Sequence, residues 1–425
     1  MSEPRPTAQA DDCYSGDPEL LPMDEALARI DAMLRPIADD ERVALRDALG
    51  RILSTTVVSP VDVPGHTNSA MDGYALAATD LPADGERDMP VLGTAWAGRP
   101  FDGAVAAGAC VRVMTGAVMP QGTDTVIMKE QVREADDGAS VMVGGGHRPG
   151  QNVRQAGEDI AAGARVLEPG KRIMPAELGL LASLGIGEVA VKRRLRVAFF
   201  STGDELRSIG EPLALGEVYD SNRYTLHGML ARLGVDIVDL GVVRDTKDAV
   251  RAAFEEAARA ADVVISTGGA STGEADFIAE TLAEIGEVRF WRIAIRPGRP
   301  LAFGRLGEAL FFGLPGNPVA VMVTFYLLVQ PALVRLMGSA APLASPTVRV
   351  TCSTRLRKKP GRVEVYRAVL EHDADGRPTV RSTGKTGSGL LHTMSDANCF
   401  ILLPQEAVSV EPGSEVEVLP FFGLA

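Results

Sequence analysis

The sequence predicts a multi-domain α/β protein, and three observations carry that prediction. From Arg196 onward, β-branched runs alternate strictly with amphipathic helical patterns. The segment before them interrupts a helical pattern with a long Gly-, Pro- and Val-rich stretch, and the segment after them returns to short strands. At 425 residues the chain also exceeds what one core organises, so about two to four domains are expected.

In chain order, the first 19 residues, MSEPRPTAQADDCYSGDPE, are acidic and proline-bearing without an apolar core. They read as a loose tail and not as a signal peptide. Apolar spacing with charged faces predicts a helix over Met23–Leu49. Strand-like runs such as CVRVMTG and TDTVIMKEQV then predict a small β domain inserted into a helical one. Helical character returns over Met174–Ile186, so the two flanking pieces are expected to pack together around the insertion.

RVAFF, VDIVDLGVV and DVVIST are each followed by a helical pattern, which means βαβ units and a largely parallel sheet covered on both faces. Ligands of such sheets sit beyond the carboxyl ends of the strands. The uncharged run Val319–Val329 is bounded by Pro315, Gly316, Asn317 and Pro318 on one side and by Pro331 on the other. It is too short for a bilayer core of about 30 Å and reads as a buried core helix. After SAAPLASP the chain forms a separate C-terminal β domain.

The formal charge of −13 argues against nucleic-acid or anionic-membrane partners, which need a basic surface. Cys13, Cys110, Cys352 and Cys399 are far apart, so neither a disulfide framework nor a zinc site is indicated, and a reducing cytoplasm fits.

Three turns leave successive strands: STGDEL, VVRDTKD and STGGASTGEAD. They direct Glu205, Asp245 and Asp276 towards one crevice. Ser201, Thr202, Gly203, Ser266, Thr267, Gly268, Gly269 and Ser271 supply hydroxyls and backbone N–H groups near helix N-termini, where an anion is favoured. Carboxylates beside an anion loop imply a bridging Mg²⁺. Any one of these acids alone reads better as a helix cap worth about 1 kcal/mol; three at one sheet edge point to a site.

Gly269 to Gly273 reads G-A-S-T-G, a formal match to a nucleophile elbow centred on Ser271. The later histidines, His372 and His392, fall outside the α/β module, so a phosphate and metal cradle is the better reading. Neither a Walker A sequence nor a dinucleotide fingerprint is present.

Positive charge gathers in two places. VRFWRIAIRPGRPLAFGRL holds Arg289, Arg292, Arg296, Arg299 and Arg305, and its bend places Arg296 and Arg299 where guanidiniums can fork onto an oxyanion. RLRKKPGR, with Arg367 beyond it, reads equally as a second anion site or as a charge-guarded strand edge. GLPGNP, with Pro315 and Pro318, is a rigid turn into a helix N-terminus.

Together STGDEL, YDSNRY, STGGASTGEADF, IRPGRPLAFG and GLPGNPVAV, with HTNSAMDGYAL, VMTGAVMPQGTDTVIMKE, NVRQAGEDI and VYRAVL elsewhere, resemble the molybdopterin molybdenumtransferase family: the MoeA proteins and the gephyrin E domain. The resemblance covers nearly the whole chain from about residue 20. It implies a flexible tail at 1–19, a helical domain from 20–60 and 153–190, and an inserted β domain at 61–152. A three-layer molybdopterin-binding α/β domain at 191–343 and a C-terminal β barrel at 344–425 follow.

It also implies a homodimer that consumes adenylylated molybdopterin and molybdate with Mg²⁺, releases AMP and inserts molybdenum into the dithiolene. By motif position, Asp72 and Thr115 act in the cleft of the partner subunit, and Glu205, Asp245 and Asp276 act at the metal and phosphoanhydride. Arg367 and Ser388 face IRPGRP as the molybdate pocket. A molybdopterin adenylyltransferase and cofactor-accepting proteins are the implied partners.

The chain departs from the family at Arg292, Arg296 and Arg299, where members typically carry lysine. Arginine keeps the charge and can grip an oxyanion bidentately, but cannot give up its proton. Two rival readings are an adenylyltransferase-like enzyme, whose compact module resembles residues 191–343, and a gephyrin-like scaffold without turnover.

Overall fold

The computed structural model of the protein describes residues 20–268, 277–342, 346–384 and 387–421. Helix α1 (Met23–Met33) stops before Pro36, whose ring disfavours helical backbone at Arg35. The single helix expected over Met23–Leu49 is therefore corrected. Asp40–Ala44 is a strand, β1, and Leu45–Asp47 a 3₁₀ turn.

The inserted β domain is a six-stranded sheet of β2 (Gly73–Leu76), β3 (Glu86–Ala95), β4 (Cys110–Val113), β5 (Thr125–Met128), β6 (Val132–Glu134) and β7 (Ser140–Gly144). Their spatial order is β5-β2-β4-β3-β7-β6. The chain then returns through α2 (Pro175–Ser183) to β8 (Glu188–Lys192), which pairs antiparallel with β1. Flank meets flank through this strand pair. The flanks also meet through the 3₁₀ turn, where Leu45 and Ala48 pack with Leu181 of α2, while Ala26 and Ile30 of α1 share a core with Leu336 instead.

The α/β unit runs β9 (Arg196–Thr202), α3 (Ser221–Leu233), β10 (Asp236–Val243), α4 (Lys247–Ala260), β11 (Val263–Thr267) and α5 (Phe277–Ile285). It continues with β12 (Glu287–Arg292), β13 (Ile295–Arg296), β14 (Pro300–Leu306), β15 (Ala309–Leu314) and a long helix α6 (Pro318–Leu336). The sheet order is β10-β9-β11-β15-β14-β12, with β14 the antiparallel member. Alternation along β9 explains the three layers. Val197 and Phe199 join the core beneath α3 and α6, and Ala198 and Phe200 join Val250 and Phe254 of α4 on the other face. Each of these phenylalanines is fully buried and contributes about 1.5–3 kcal/mol.

α6 is long and apolar enough to cross a membrane, but 78% of its most apolar window is buried inside the protein. Pro331 does not end it, against the sequence expectation. The turn before it, Phe325–Val329, widens to π geometry, which relieves the clash that a helical proline makes with the carbonyl four residues back. In the C-terminal domain β16 (Val348–Cys352), β17 (Val363–His372), β18 (Pro378–Ser382), β19 (Cys399–Leu403) and β20 (Glu415–Pro420) close into a barrel in the order β17-β18-β16-β20-β19 and back to β17. Phe400 and Phe421 pack edge-on at 4.7 Å beside Tyr326 of α6, so one apolar core runs from α1 through the sheet into the barrel.

Candidate functional site

β9 and β11 end side by side in Ser201-Thr202 and Ser266-Thr267, all four buried. Thr267 Oγ1 donates to Ser201 Oγ at 2.8 Å, while Ser266 Oγ has no partner among the described residues. Gly268 follows at φ +89°, and a Cβ there would lie 2.5 Å from the Thr202 carbonyl oxygen. Only glycine lets this turn close over β9. Gly203 leads into the exposed Asp204 and Glu205. Gly269, Ser271 and Asp276 lie outside the described residues, and with them the serine-nucleophile reading.

Asp245, beyond β10, is half-buried, and its backbone N–H donates to Asp204 Oδ1 at 3.4 Å. Burial first, then the charges of Asp204 and Glu205, push the Asp245 carboxyl above the usual carboxylate range. Asp204, passed over in the sequence, thus joins the two acids predicted there. Among the described residues no group of three or more His, Cys, Asp or Glu side chains could by itself hold a metal ion. The crowding of Asp245 by two acids is nonetheless the arrangement a cation relieves, and Mg²⁺ commonly needs one or two carboxylates beside phosphate oxygens.

Two further polar residues reach this edge. Asp220 caps α3 by accepting from the Arg223 N–H at 3.1 Å, but its Oδ2 is buried without a partner among the described residues. Asn222 Nδ2 donates to the Gly316 carbonyl at 2.7 Å, and its Oδ1 is likewise unmatched. Buried acceptors without donors are costly. YDSNRY, between a strand and a helix, was the available signal.

The basic half of the site is assembled across two domains. β13 pairs in parallel with the start of β17, Ile295 opposite Val363 and Arg296 opposite Glu364, which seats the IRPGRP bend on the barrel. Between them lies a cavity of about 560 Å³ lined by Arg296, Pro297, Arg355, Arg357, Glu364 and Arg367, among others. Arg367 is 4% exposed, donates from Nη1 to the Gly387 carbonyl at 3.3 Å, and burial lowers its pKa. Ser388 accepts the Val319 N–H at 3.1 Å through its carbonyl, beside Pro318 and just after Pro315. Arg292 ends β12 opposite Pro300, and the Arg299 carbonyl accepts from Ile293 at 2.8 Å. Neither Arg292 nor Arg299 lines the cavity.

The structure divides RLRKKPGR. Arg355 and Arg357 line the cavity, whereas Lys358 is buried and its Nζ donates to the carbonyls of Lys359, Gln405 and Ala407 at 3.3, 3.2 and 2.9 Å.

Asp72 and Thr115 meet in the inserted domain. The Thr115 N–H and hydroxyl both donate to Asp72 Oδ1 at 2.8 Å, backbone first, holding the Asp72 carboxyl below its usual range. Gly73 permits the close approach of β2 to β5, since a Cβ there would lie 2.0 Å from the Ile127 carbonyl oxygen. Among the described residues no hydrogen bond or ion pair joins this pair to Glu205, Asp245 or Arg296.

Three family models match in order. They are the MoeA N-terminal region (domain I and II) over residues 21–185, a probable molybdopterin binding domain over 198–335, and the MoeA C-terminal region (domain IV) over 349–421. The molybdopterin molybdenumtransferase of Haemophilus influenzae is 42% identical over 402 residues, 95% of this chain and 99% of that protein. Gephyrin of Dictyostelium discoideum is 32% identical over 94% of this chain and 62% of its own length. The crystal structure of a molybdopterin biosynthesis MoeA protein from Pyrococcus horikoshii superposes with a TM-score of 0.82 at 29% identity, covering 95% of this chain and all of that one. By this similarity along nearly its whole length, the chain belongs to the molybdopterin molybdenumtransferase family, the MoeA proteins of molybdenum cofactor biosynthesis.

Proposed function

We propose that the protein inserts molybdenum from molybdate into adenylylated molybdopterin in a Mg²⁺-dependent reaction that releases AMP. The observation that carries this reading is the β13–β17 pairing, which sets a guanidinium-lined cavity between the arginine bend and the barrel. Arg296 and Arg367 suit a tetrahedral oxyanion, Arg292 and Arg299 add positive charge at the ends of the bend, and Ser388 with Pro315 and Pro318 fixes the helix N-terminus alongside.

Ser201, Thr202, Ser266 and Thr267, with the backbone of Gly203, Gly268 and Gly269 and the Ser271 hydroxyl, hold the pterin phosphate. Glu205, Asp245 and Asp276 would hold Mg²⁺, which when bound neutralises charge developing on the phosphoanhydride. Asp276 or Asp245 orients the attacking oxygen. The chain's contribution is positioning plus electrostatics.

In this reading the protein is a cytoplasmic homodimer, and Asp72 and Thr115 serve the partner's crevice. The test is molybdate-dependent AMP release. Wild type should turn over, Asp276→Ala should not, and Arg296→Ala should need more molybdate. Subunits carrying Asp72→Ala mixed with subunits carrying Asp276→Ala should recover activity, because one cleft of each heterodimer is intact. A folded wild type without AMP release refutes the enzyme and favours a scaffold. Folded, inactive parents that form heterodimers without recovery of activity refute the shared cleft.

A further inference from the structure

Glu364 is 5% exposed and is, among the described residues, the one carboxylate lining the cavity between the arginine bend and the barrel. Its Oε2 accepts from the Tyr366 hydroxyl at 3.0 Å. Its Oε1 lies 3.6 Å from Arg296 Nη1 and 3.7 Å from Arg362 Nε, within ion-pair range but beyond hydrogen-bond length. The other charged side chains on the cavity wall, Arg296, Arg355, Arg357 and Arg367, are all cationic. A buried acid therefore faces the space in which those arginines would take an anion. If charge attraction were the cavity's whole purpose, Glu364 would work against it.

We infer that Glu364 determines which oxyanion this cavity accepts: its carboxylate takes a hydrogen bond from an anion that carries a proton or a bound water, and repels one that does not. The inference rests on the oxyanion pocket proposed above and names its selectivity element. Molybdate and tungstate take up protons and add water or hydroxide ligands readily. At neutral pH molybdate and sulfate are both dianions in solution, but only molybdate takes up a proton or an added water at modest cost, so only molybdate can be held with a donor facing Glu364. Held against Glu364, sulfate sets two like charges facing each other with no proton between them, which is how a site rejects a near-isostere. The Tyr366 hydroxyl, whose single proton is shared between Glu364 Oε2 and the Arg357 carbonyl, adds no net charge to the carboxylate.

The experiment is calorimetric titration of the full-length protein with sodium molybdate and, separately, sodium sulfate at neutral pH, for wild type, Glu364→Gln and Glu364→Asp. Wild type should prefer molybdate by at least ~10-fold, and Glu364→Gln should gain ~10-fold in sulfate affinity so that the preference collapses. Glu364→Asp keeps the charge and should go on rejecting sulfate, which separates charge from packing even if Glu364→Gln folds poorly. An unchanged preference in folded Glu364→Gln, or sulfate binding to Glu364→Asp as tight as to Glu364→Gln, overturns the inference alone. Failure of wild type to bind molybdate overturns the pocket reading and the inference with it.

Discussion

Gly268→Ala is a sharp test of the strand-end geometry. The native φ of +89° is a left-handed conformation that costs an L-residue about 1–2 kcal/mol. A Cβ would also lie 2.5 Å from the Thr202 carbonyl oxygen, whereas ordinary contact begins at 3.4 Å, so something must move by 3.4 − 2.5 = 0.9 Å. Both nearby segments are buried strand ends, and the movement falls on Thr202 or Thr267. Displacement of reacting groups by about 1 Å costs roughly 10²-fold in rate. Activity should thus fall by about two orders of magnitude while stability falls by only ~1–3 kcal/mol. Gly307→Ala is the control, because Gly307 has φ +59° with no heavy atom within 4 Å and sits in the β14–β15 turn at the opposite end of the sheet. It carries the strain without the collision. The readouts are urea unfolding and molybdate-dependent AMP release at saturating substrate. If Gly268→Ala retains as much activity as Gly307→Ala, the close approach does not position the site and the reasoning fails.

Asp245→Asn should abolish Mg²⁺-dependent turnover yet raise thermal stability without Mg²⁺. The folded carboxyl is raised by burial and by Asp204 and Glu205, so its ionised form opposes folding at neutral pH; a lower melting temperature at pH 7 would contradict this. Thr115→Val removes one of two hydrogen bonds onto Asp72 Oδ1, so the acid limb of the pH–rate profile should move to higher pH, and an unmoved limb would refute a working role for ionised Asp72. Asp262→Ala should cost about 1.5–3 kcal/mol, because Arg193 forks onto Asp262 at 2.7 and 2.8 Å in a half-buried setting. Burial raises the Asp262 carboxyl, but Arg193 and the Arg196 N–H together hold it below its ordinary 3.8. Its stabilisation is therefore complete above that pH and lost as pH falls through the lower folded value, so wild type and variant should converge in strong acid.

The alternating segment from Arg196 was the most legible part, because βαβ order, strand ends and anion-friendly turns are all written in local pattern. The positions of Glu205 and Asp245 beyond strand ends and of Arg296 in the bend were legible for the same reason, whereas Arg367 entered only with the second basic cluster and the family resemblance. Asp204 was not legible, since its place depends on how STGDEL folds back towards the turn after β10, and Asp220 and Asn222 looked like ordinary helix caps. The long first helix failed at Pro36, where a local backbone restriction outweighed an apolar period that continued past it. Pro331 failed in the opposite direction, because burial of α6 on all sides stabilises a π turn that sequence pattern alone would score as a break. Arg355 and Arg357 could not be told apart from Lys358 within RLRKKPGR. Only the closure of the barrel decides which of these side chains reach the cavity.

The two-residue pairing of Ile295–Arg296 with Val363–Glu364 also constrains how this protein can change over generations. The cavity at this seam takes Arg296 and Pro297 from one domain and the rest of its lining from the barrel, so neither domain alone carries the whole of it, and a substitution on one side of the seam is judged by what stands on the other. Residues in contact couple by about 0.5–3 kcal/mol. Which residue is tolerated at Arg296 is thus decided partly in another domain, at Glu364 and Arg367. Arg296→Lys alone would be a different experiment from Arg296→Lys made together with a relative's barrel.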